Sequence, residues 1–413
     1  MTTPVGYREL LRANPGFRRL WYAEIVSFLG DWFNTIALYT AVDELGAGTE
    51  AIAAVFVAKL LPIFLMTPLS GPIIDSFDRR KLLIATDVGR AVCALGLIGA
   101  YWSRSLVLLI AVLFVMVALA GLFIPAKSAA IPQVTRTEHL GAANALSAAT
   151  WSVMLALGAA TGGLATALLG IELALLIDSL TFVVSALLLL PLPRLSPDSD
   201  APPKSARHHG FVAGLRYLRR HRYLAAIISL KPGMALAGGA LAMLPVFAIE
   251  LFRGGAGSMG VLYTARGLGA LVGALAVRRI FGDDRRTLRA LAIPAYAILA
   301  LSYLGLSVAP NLWIAAAAFF GTAVGGSMIW VVSGTLGQME SDNAYRGRVF
   351  AIEFGVFTLL LSVTAAGASS LVERYGWSVR DIARASAVAM GVPLGLWTWV
   401  LLRRAAWQAS RAR

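Results

Sequence analysis

Residues 60–101 read LLPIFLMTPLSGPIIDSFDRRKLLIATDVGRAVCALGLIGAY, two apolar runs joined by a short polar stretch. Each run, the first beginning near residue 50, has close to the roughly 20 apolar residues that a helix needs to cross a bilayer core about 30 Å thick. The connection DSFDRRK, residues 75–81, is too highly charged to lie in that core. The stretch therefore predicts two membrane-spanning helices joined by a tight polar turn.

The same pattern continues along the whole chain. Of its 413 residues, 58% are hydrophobic and only 14% are charged, against about 25% charged residues in an average soluble domain. About twelve apolar runs of sufficient length occur, and we predict an all-α membrane protein. The predicted spans are 18–42, 50–75, 82–101, 105–131, 140–169, 171–191, 223–251, 257–281, 287–308, 311–337, 347–373 and 380–402.

A long polar connection, residues 194–222, divides the chain into two predicted six-helix bundles, residues 1–193 and residues 223–413. Gly141 and Gly347 follow the fourth and tenth predicted helices and are separated by about half the chain, which indicates an internal repeat. The basic second part of the connection fits either a short amphipathic helix on the membrane surface or a solvated linker.

The positive charges predict the orientation in the membrane. With a cytoplasmic amino terminus, about 26 of the 36 Lys and Arg residues lie in cytoplasmic connections and about five lie on the opposite side. This is the bias expected when both termini are cytoplasmic. Residues 1–16 are too polar for a signal peptide, so we expect the first helix to be retained. Membrane topology thus accounts for the net charge of +14, and no nucleic-acid partner is expected.

Residues 71–81, GPIIDSFDRRK, place a basic cluster after a Gly and an Asp four residues later, between two membrane helices. This pattern resembles the signature loop of the major facilitator superfamily. The resemblance implies the major facilitator fold, with twelve transmembrane helices in two six-helix halves. It also implies a cytoplasmic gate that holds the halves together in one state. The residues assigned to this gate are Gly71, Asp75, Asp78, Arg79, Arg80, Lys81, Asp87, Arg90, Arg346, Arg348 and Glu353.

Further segments resemble one branch of that superfamily, the exporters of drugs, macrolides and enterobactin. They are FRRLWYAEIVSFLGDWFNTIAL (17–38), IPAKSAAIPQ (124–133), LLIDSLTFVVSALLL (175–189) and RGRVFAIEFG (346–355). The resemblance implies a monomeric transporter in the bacterial inner membrane that exports a small amphipathic compound, a drug or a siderophore-like molecule. A lipid-like substrate, metabolite transport by the same fold, and a membrane receptor or assembly protein without transport activity are the alternatives.

Charged residues inside the predicted helices are the candidates for function, because a charge at the bilayer centre costs at least about 2.5 to 3.5 kcal/mol. Asp31 lies near the middle of the first predicted helix, on a polar stripe with Glu24, Ser27 and Asn34. Burial favours the protonated form of a carboxyl group, so Asp31 is predicted to exchange protons during transport. The alternatives are a fixed ion pair with Lys59 and a helix break at Gly30.

Asp178, Lys231 and Arg266 lie at intermediate depth and suit either a charged group of the substrate or another charge of the protein. Lys127 and Glu353 lie near helix ends, and we did not assign them to substrate binding. The candidate residues of the proton and substrate cavity are therefore Glu24, Asp31, Asn34, Lys59, Asp178, Lys231 and Arg266.

Several other classes of function are excluded or unsupported. The four histidines and the single cysteine, Cys93, lack the spacing of metal ligands, so neither a metal nor another cofactor is expected. No GxxxxGK[ST] motif occurs, which excludes ATP-driven transport by this chain alone. No catalytic cluster stands out, and we do not expect an enzyme. The sequence therefore predicts secondary transport by alternating access, with protons as the coupling ion.

Overall fold

The computed structural model describes residues 6–195, 210–277 and 284–411, and every regular element within them is helical. The predicted all-helical class is confirmed. The elements are α1 (Tyr7–Ala13), α2 (Pro15–Glu44), α3 (Gly48–Ala58), α4 (Leu61–Ser76), α5 (Arg79–Trp102), α6 (Leu106–Val134), α7 (Leu140–Leu189), α8 (Gly210–Arg220), α9 (Arg222–Ile228), α10 (Leu230–Ala235), α11 (Gly238–Ala242), α12 (Leu244–Val246), α13 (Gly255–Ala276), α14 (Arg285–Ser307), α15 (Leu312–Glu340), α16 (Asn343–Tyr375), α17 (Val379–Ala389) and α18 (Gly391–Arg411), with a 3₁₀ turn at Thr137–His139 and a π-helical turn at Phe247–Leu251.

Within the described residues, ten helical segments are long and apolar enough to cross a membrane, and the predicted count of twelve is not confirmed. The count of ten differs from the predicted twelve because of two segments of the chain. The predicted spans 140–169 and 171–191 both lie in the 50-residue element α7, which counts as one segment although Gly170, with a non-helical φ of +84° and ψ of 175°, divides it into two helices. The predicted span 223–251 is divided into the short helices α9 to α12 and a π-helical turn.

The broken segment 222–251 has a clear local cause. Pro232 and Pro245 remove backbone donors, and the adjacent glycines Gly238 and Gly239 weaken the helix further. Backbone carbonyl groups freed by a helix break in a membrane need another donor. Hydroxyl groups of neighbouring helices donate to carbonyl oxygens of this segment, as seen for Ser333 to Ile227 O at 3.2 Å, Thr364 to Ala235 O at 3.0 Å and Tyr296 to Leu230 O.

The described residues cluster into two compact units. The first contains residues 6–195 together with residues 248–264, and the second contains residues 210–247, 265–277 and 284–411. In the first unit, α7 approaches the start of α13 so closely that a Cβ atom on Gly163 would lie 2.7 Å from Gly260 Cα. The division into two six-helix bundles at residues 194–222 remains a prediction.

Helix caps support the internal repeat. Asp78 caps α5 by accepting from Arg80 N at 3.0 Å, and Asp284, 206 positions later, caps α14 by accepting from Thr287 N at 2.9 Å. The Thr287 N–H lowers the pKa of Asp284 below its usual range, because it donates to the ionised carboxylate. The caps of α6 and α15 are also 206 positions apart, and they are Ser105 and Asn311.

The amphipathic helices α1 and α8 occupy equivalent places in the two units. At the end of α1, Asn14 Oδ1 accepts from Arg136 N at 2.9 Å. In α8, the Tyr217 hydroxyl accepts from Asp342 N at 3.2 Å, 206 positions after Arg136. Burial raises the pKa of Tyr217. The basic part of the 194–222 connection therefore contains a helix that packs on the protein, and its location at a membrane surface remains a prediction.

Candidate functional site: buried charges of the helices

The centre of the first unit contains an arginine between two carboxylates. Arg90 Nη2 lies 2.7 Å from Asp31 Oδ1, and Arg90 Nη1 lies 3.5 Å from Asp87 Oδ1, one turn earlier on α5. Ser27 on α2 accepts from the same guanidinium at 3.2 Å, and the ring centroid of Phe182 lies 3.9 Å from Arg90 Cζ. The arginine is thus fixed between α2 and α7.

The ion pair of Asp31 with Arg90 replaces the alternative pairing of Asp31 with Lys59. Lys59 does not pair with the Asp31 carboxylate, since its ammonium donates to the Thr35 hydroxyl at 2.5 Å, and Thr35 donates to the Asp31 carbonyl oxygen. Lys59 lies just after the end of α3, where the helix breaks. A planar guanidinium can donate to Ser27 and Asp31 together, which a lysine ammonium does less readily.

Arg90 was assigned from the sequence to the cytoplasmic gate, together with Asp87. In the structure it lies ten residues, or about 15 Å of helix, beyond Arg80. Asp87 is fully buried and accepts from the Ser185 hydroxyl on α7 at 2.5 Å. The structure therefore brings Asp87 and Arg90 to the predicted cavity residue Asp31.

Asp178 on α7 has a different environment. It is fully buried, and its Oδ2 accepts from Asn34 Nδ2 at 2.9 Å. Its Oδ1 has no hydrogen-bond partner, and no ion pair joins it to another described residue. That oxygen faces Gly30, where a Cβ atom would lie 2.7 Å from it. The helix does not break at Gly30, because α2 runs from Pro15 to Glu44.

We name this group of neighbouring residues the central network: Asp31, Asp87, Asp178, Arg90, Lys59, Ser27, Asn34, Thr35 and Ser185. Hydrogen bonds and ion pairs join all of them except Asp178 and Asn34, and Asp178 interacts electrostatically with Asp31, Arg90 and Lys59. The network contains three carboxyl groups and two cationic groups. If all five were ionised, the network would have a net charge of minus one. One bound proton would make it neutral.

A second cluster in the first unit joins Glu24 to Lys127. The two side chains form a buried ion pair between α2 and α6, and Ser147 on α7 donates to Glu24 Oε2 at 3.1 Å. Glu24 and Asp31 lie on the same helix, α2, at the spacing that the predicted polar stripe requires. They pair with different cations, Glu24 with Lys127 and Asp31 with Arg90. Lys127 was not assigned to the site, because its position near a helix end suggested snorkelling.

The second unit contains a matching cluster. Lys231 Nζ lies 2.7 Å from Glu353 Oε2, and Ser333 donates to Glu353 Oε1. The three positions repeat those of the first unit, since Lys231 follows Glu24 by 207 residues, Ser333 follows Lys127 by 206 and Glu353 follows Ser147 by 206. Each triad has one acid, one base and one serine, in a different order. The repeat length was the sequence signal that would have found Lys127, Ser147 and Ser333.

Lys231 also lies beside aromatic rings. Its ammonium is 4.5 Å from the Trp330 ring centroid and 5.5 Å from that of Phe350. Trp330 in turn contacts Phe354 and Phe357, with ring centroids 6.4 and 5.6 Å away. The structure therefore joins the predicted cavity residue Lys231 to Glu353, which had been assigned to the gate.

The loop that suggested the gate is tied to the end of the first unit. Asp78 Oδ1 accepts from Leu195 N at 3.1 Å, and Arg79 N donates to Leu195 O at 3.0 Å. Arg79 is buried, Arg80 is half-buried, and Gly71 and Lys81 are exposed. The side chain of Asp75 lies outside the part that the structure describes. The gate role of this loop remains a prediction.

The remaining predicted residues lie in the second unit. Arg346 donates to Gln338 O at 3.0 Å, which joins α16 to the end of α15. Arg348 lies over the Tyr345 ring, and Arg266 is half-buried on α13. Among the described residues, no group of three or more His, Cys, Asp or Glu side chains could hold a metal ion.

Comparison with known proteins gives matches over most of the chain. A family model described as "Transmembrane secretion effector" matches residues 11–399. The enterobactin exporter EntS of Escherichia coli is 25% identical over 391 residues, which are 93% of this chain and 91% of the exporter. The MFS-type transporter YfiS of Bacillus subtilis is 28% identical over 217 residues, 52% of this chain and 51% of that relative. This second alignment therefore spans about half of each protein.

A solved structure shares the fold. The crystal structure of a POT family transporter in complex with 5-aminolevulinic acid superposes with a TM-score of 0.73 at 10% identity, over 96% of this chain and 97% of that transporter. At this identity the likeness concerns the fold alone.

Proposed function

The chain belongs to the transmembrane secretion effector family of the major facilitator superfamily, and we propose that this multi-pass membrane transporter exports a small amphipathic organic compound in exchange for protons. The observation that carries the proposal is the central network, which places three carboxyl groups and two cationic groups close together within membrane-spanning segments.

The network suits proton coupling because of its charge balance. A buried ionised group without a partner is costly, whereas protonation of one carboxyl group neutralises the set. The side chain of Asp31 is 39% exposed, while those of Asp87 and Arg90 are 0% and 4% exposed. A proton can therefore enter beside Asp31 and reach groups that are fully buried. Alternating exposure to the two sides would move that proton across the membrane.

The proposed substrate class rests on a different part of the chain. Trp330 and Phe354 are exposed aromatic side chains beside the Lys231–Glu353 ion pair of the second unit. Apolar rings next to a few fixed charges are the surface that an amphipathic molecule requires. The relative named as an enterobactin exporter favours export over uptake and a drug-like or siderophore-like compound.

We also propose that the protein is a monomer in the bacterial inner membrane with both termini in the cytoplasm. The excess of Lys and Arg in the connections assigned to the cytoplasm supports this orientation. The relatives named above are bacterial.

Everted membrane vesicles test the proposal, because their outer surface is the cytoplasmic face. The vesicles contain the full chain and are given an acidic lumen, then mixed with a panel of enterobactin, a macrolide, a lipophilic cation, a lysophospholipid and a nucleoside. We expect one amphipathic compound to accumulate in the lumen and to be released when a protonophore collapses the gradient. Vesicles without the protein are the control.

Each other outcome contradicts one part of the proposed function. Accumulation that survives the protonophore removes proton coupling. Accumulation in right-side-out vesicles alone reverses the direction. Transport of the lysophospholipid or the nucleoside alone replaces the substrate class with a lipid-like compound or a metabolite. Tight binding without transport favours a receptor.

A further inference from the structure

The three carboxyl groups of the central network do not have equal partners. Asp31 accepts from Arg90 at 2.7 Å, and Asp87 lies 3.5 Å from the same guanidinium and accepts from Ser185. Both therefore lie within ion-pair distance of a cation that is always protonated, although Asp87 Oδ1 has no hydrogen-bond donor. Asp178 accepts one hydrogen bond, from the neutral amide of Asn34.

The surroundings of Asp178 favour a neutral group. The residue is fully buried, and its Oδ1 has no donor. The polar and charged groups that act on it are Asp31 and Asn34 from α2, Arg90 from α5, and Lys59 from the end of α3. Arg90 is already paired with two other carboxylates, those of Asp31 and Asp87. An ionised Asp178 would leave one buried oxygen without a hydrogen bond, which is the costly arrangement.

Lys59 is the cation that can respond to ionisation of Asp178. Its ammonium donates to the neutral hydroxyl of Thr35 and forms no ion pair within the described residues. It lies just past the end of α3, beside the break before α4. A rotation of this flexible side chain would exchange the Thr35 hydroxyl for the Asp178 carboxylate. Proton loss would then be compensated by movement of the lysine.

We propose that Asp178, and not Asp31, is the proton-binding residue of the central network. The proton adds to the carboxylate of Asp178 as an O–H bond and leaves again as a proton in each cycle, with no other bond made or broken. The Arg90–Asp31 pair stays ionised throughout and positions the helices. This inference rests on the proposed proton coupling, but protonation of Asp178 can be observed without any substrate.

Infrared difference spectroscopy of the purified full chain measures this directly, because a protonated carboxyl group has a C=O stretch separate from that of a carboxylate. We expect such a band near neutral pH in the wild type, its loss in Asp178→Asn, and its retention in Asp31→Asn. Asp43→Asn is the matched control, since it removes an exposed carboxyl group at the end of α2. A band retained in Asp178→Asn, or lost in Asp31→Asn, overturns the assignment.

A second variant keeps the test decisive if Asp178→Asn does not fold. Asn34→Leu removes the amide that donates to Asp178 Oδ2, so the C=O band is expected to move to higher frequency. An unmoved band would assign the proton to another residue.

Transport measurements separate this inference from the proposed function. If a compound drives proton flux in the wild type and Asp178→Asn exchanges the compound without proton flux, both hold. If Asp178→Asn still moves protons, the assignment fails and the coupling stands. If the wild type moves no protons but loses its band on Asp178→Asn, the coupling fails and the assignment stands.

Discussion

Arg90 donates to Asp31 across 59 residues of sequence at a distance of 2.7 Å, and this contact joins α5 to α2. The Phe182 ring covers the guanidinium from α7. The pair is therefore part of the packing of three helices as well as part of a charged network. Disruption of a buried ion pair leaves one charge without compensation, which costs more than the pair itself contributes.

Arg90→Gln is predicted to lower the free energy of unfolding by about 3 kcal/mol, the lower end for a broken buried pair because Asp31 is partly exposed. Thermal unfolding of the purified protein in detergent measures the change. The double variant with Asp31→Asn is expected to recover part of the loss, since it removes the carboxylate left without a partner. If the losses of unfolding free energy in Arg90→Gln and Asp31→Asn simply add in the double variant, Arg90 and Asp31 do not act as a pair.

In each of the two triads, we expect that removal of both charges is less destabilising than removal of one. Glu24→Gln leaves Lys127 buried without its carboxylate and is expected to cost about 3 to 5 kcal/mol. The double variant Glu24→Gln with Lys127→Met removes both charges and is expected to be nearly as stable as the wild type. Unfolding temperatures of the three proteins measure this.

The same pattern is expected in the second unit for Lys231→Met alone and together with Glu353→Gln. A double variant as unstable as its single parent, in either unit, would show that the triads do not act as pairs.

Gly30→Ala is predicted to destabilise the first unit, because the added Cβ would overlap the Thr181 hydroxyl and press on Asp178 Oδ1. Forced contacts of this kind typically cost about 1 to 3 kcal/mol. Gly99→Ala is the matched control on α5, since a Cβ there meets nothing within 4 Å. In a helix that change is expected to stabilise by up to about 1 kcal/mol. Equal effects of both variants on the unfolding temperature would argue against close packing at Gly30.

Tyr296→Phe tests the broken helix of the second unit. Its hydroxyl donates to the carbonyl of Leu230, in the segment that the prolines interrupt. Loss of this hydrogen bond to a buried backbone carbonyl is expected to cost about 0.5 to 1.5 kcal/mol. Tyr101→Phe is the control, because that hydroxyl donates to an exposed Glu44 carboxylate, and its effect on thermal unfolding should stay within about 0.5 kcal/mol. A larger loss for Tyr101→Phe would refute this account of the broken segment.

The apolar pattern predicted the helical class and most helix positions, since length and hydropathy alone decide whether a segment can cross a bilayer. It also placed a break near Gly170, where the structure has a non-helical residue between two helices. It did not predict the division of residues 222–251 into short helices. The local signals, Pro232 and Pro245, were present, but the hydroxyl groups that stabilise the break come from α14, α15 and α16.

The partners of the buried charges were less predictable. Helical spacing placed Glu24, Asp31 and Asn34 on one face of α2, and all three side chains do contact neighbouring helices. Spacing along one helix, however, does not show which cation another helix brings to each position. The alternative of an ion pair for Asp31 therefore named Lys59, and Arg90 was assigned to the gate.

The central claim is that movement of the substrate and movement of protons are coupled. Because coupling is reciprocal, a gradient of the compound identified in vesicles must itself drive protons the other way. Proteoliposomes that contain the wild type, a pH-sensitive dye and no pH gradient test this when the compound is added on one side. We expect protons to move in the direction opposite to the compound, with a pH change that scales with the flux of the compound. Flux of the compound with no pH change would show that the two movements are not coupled.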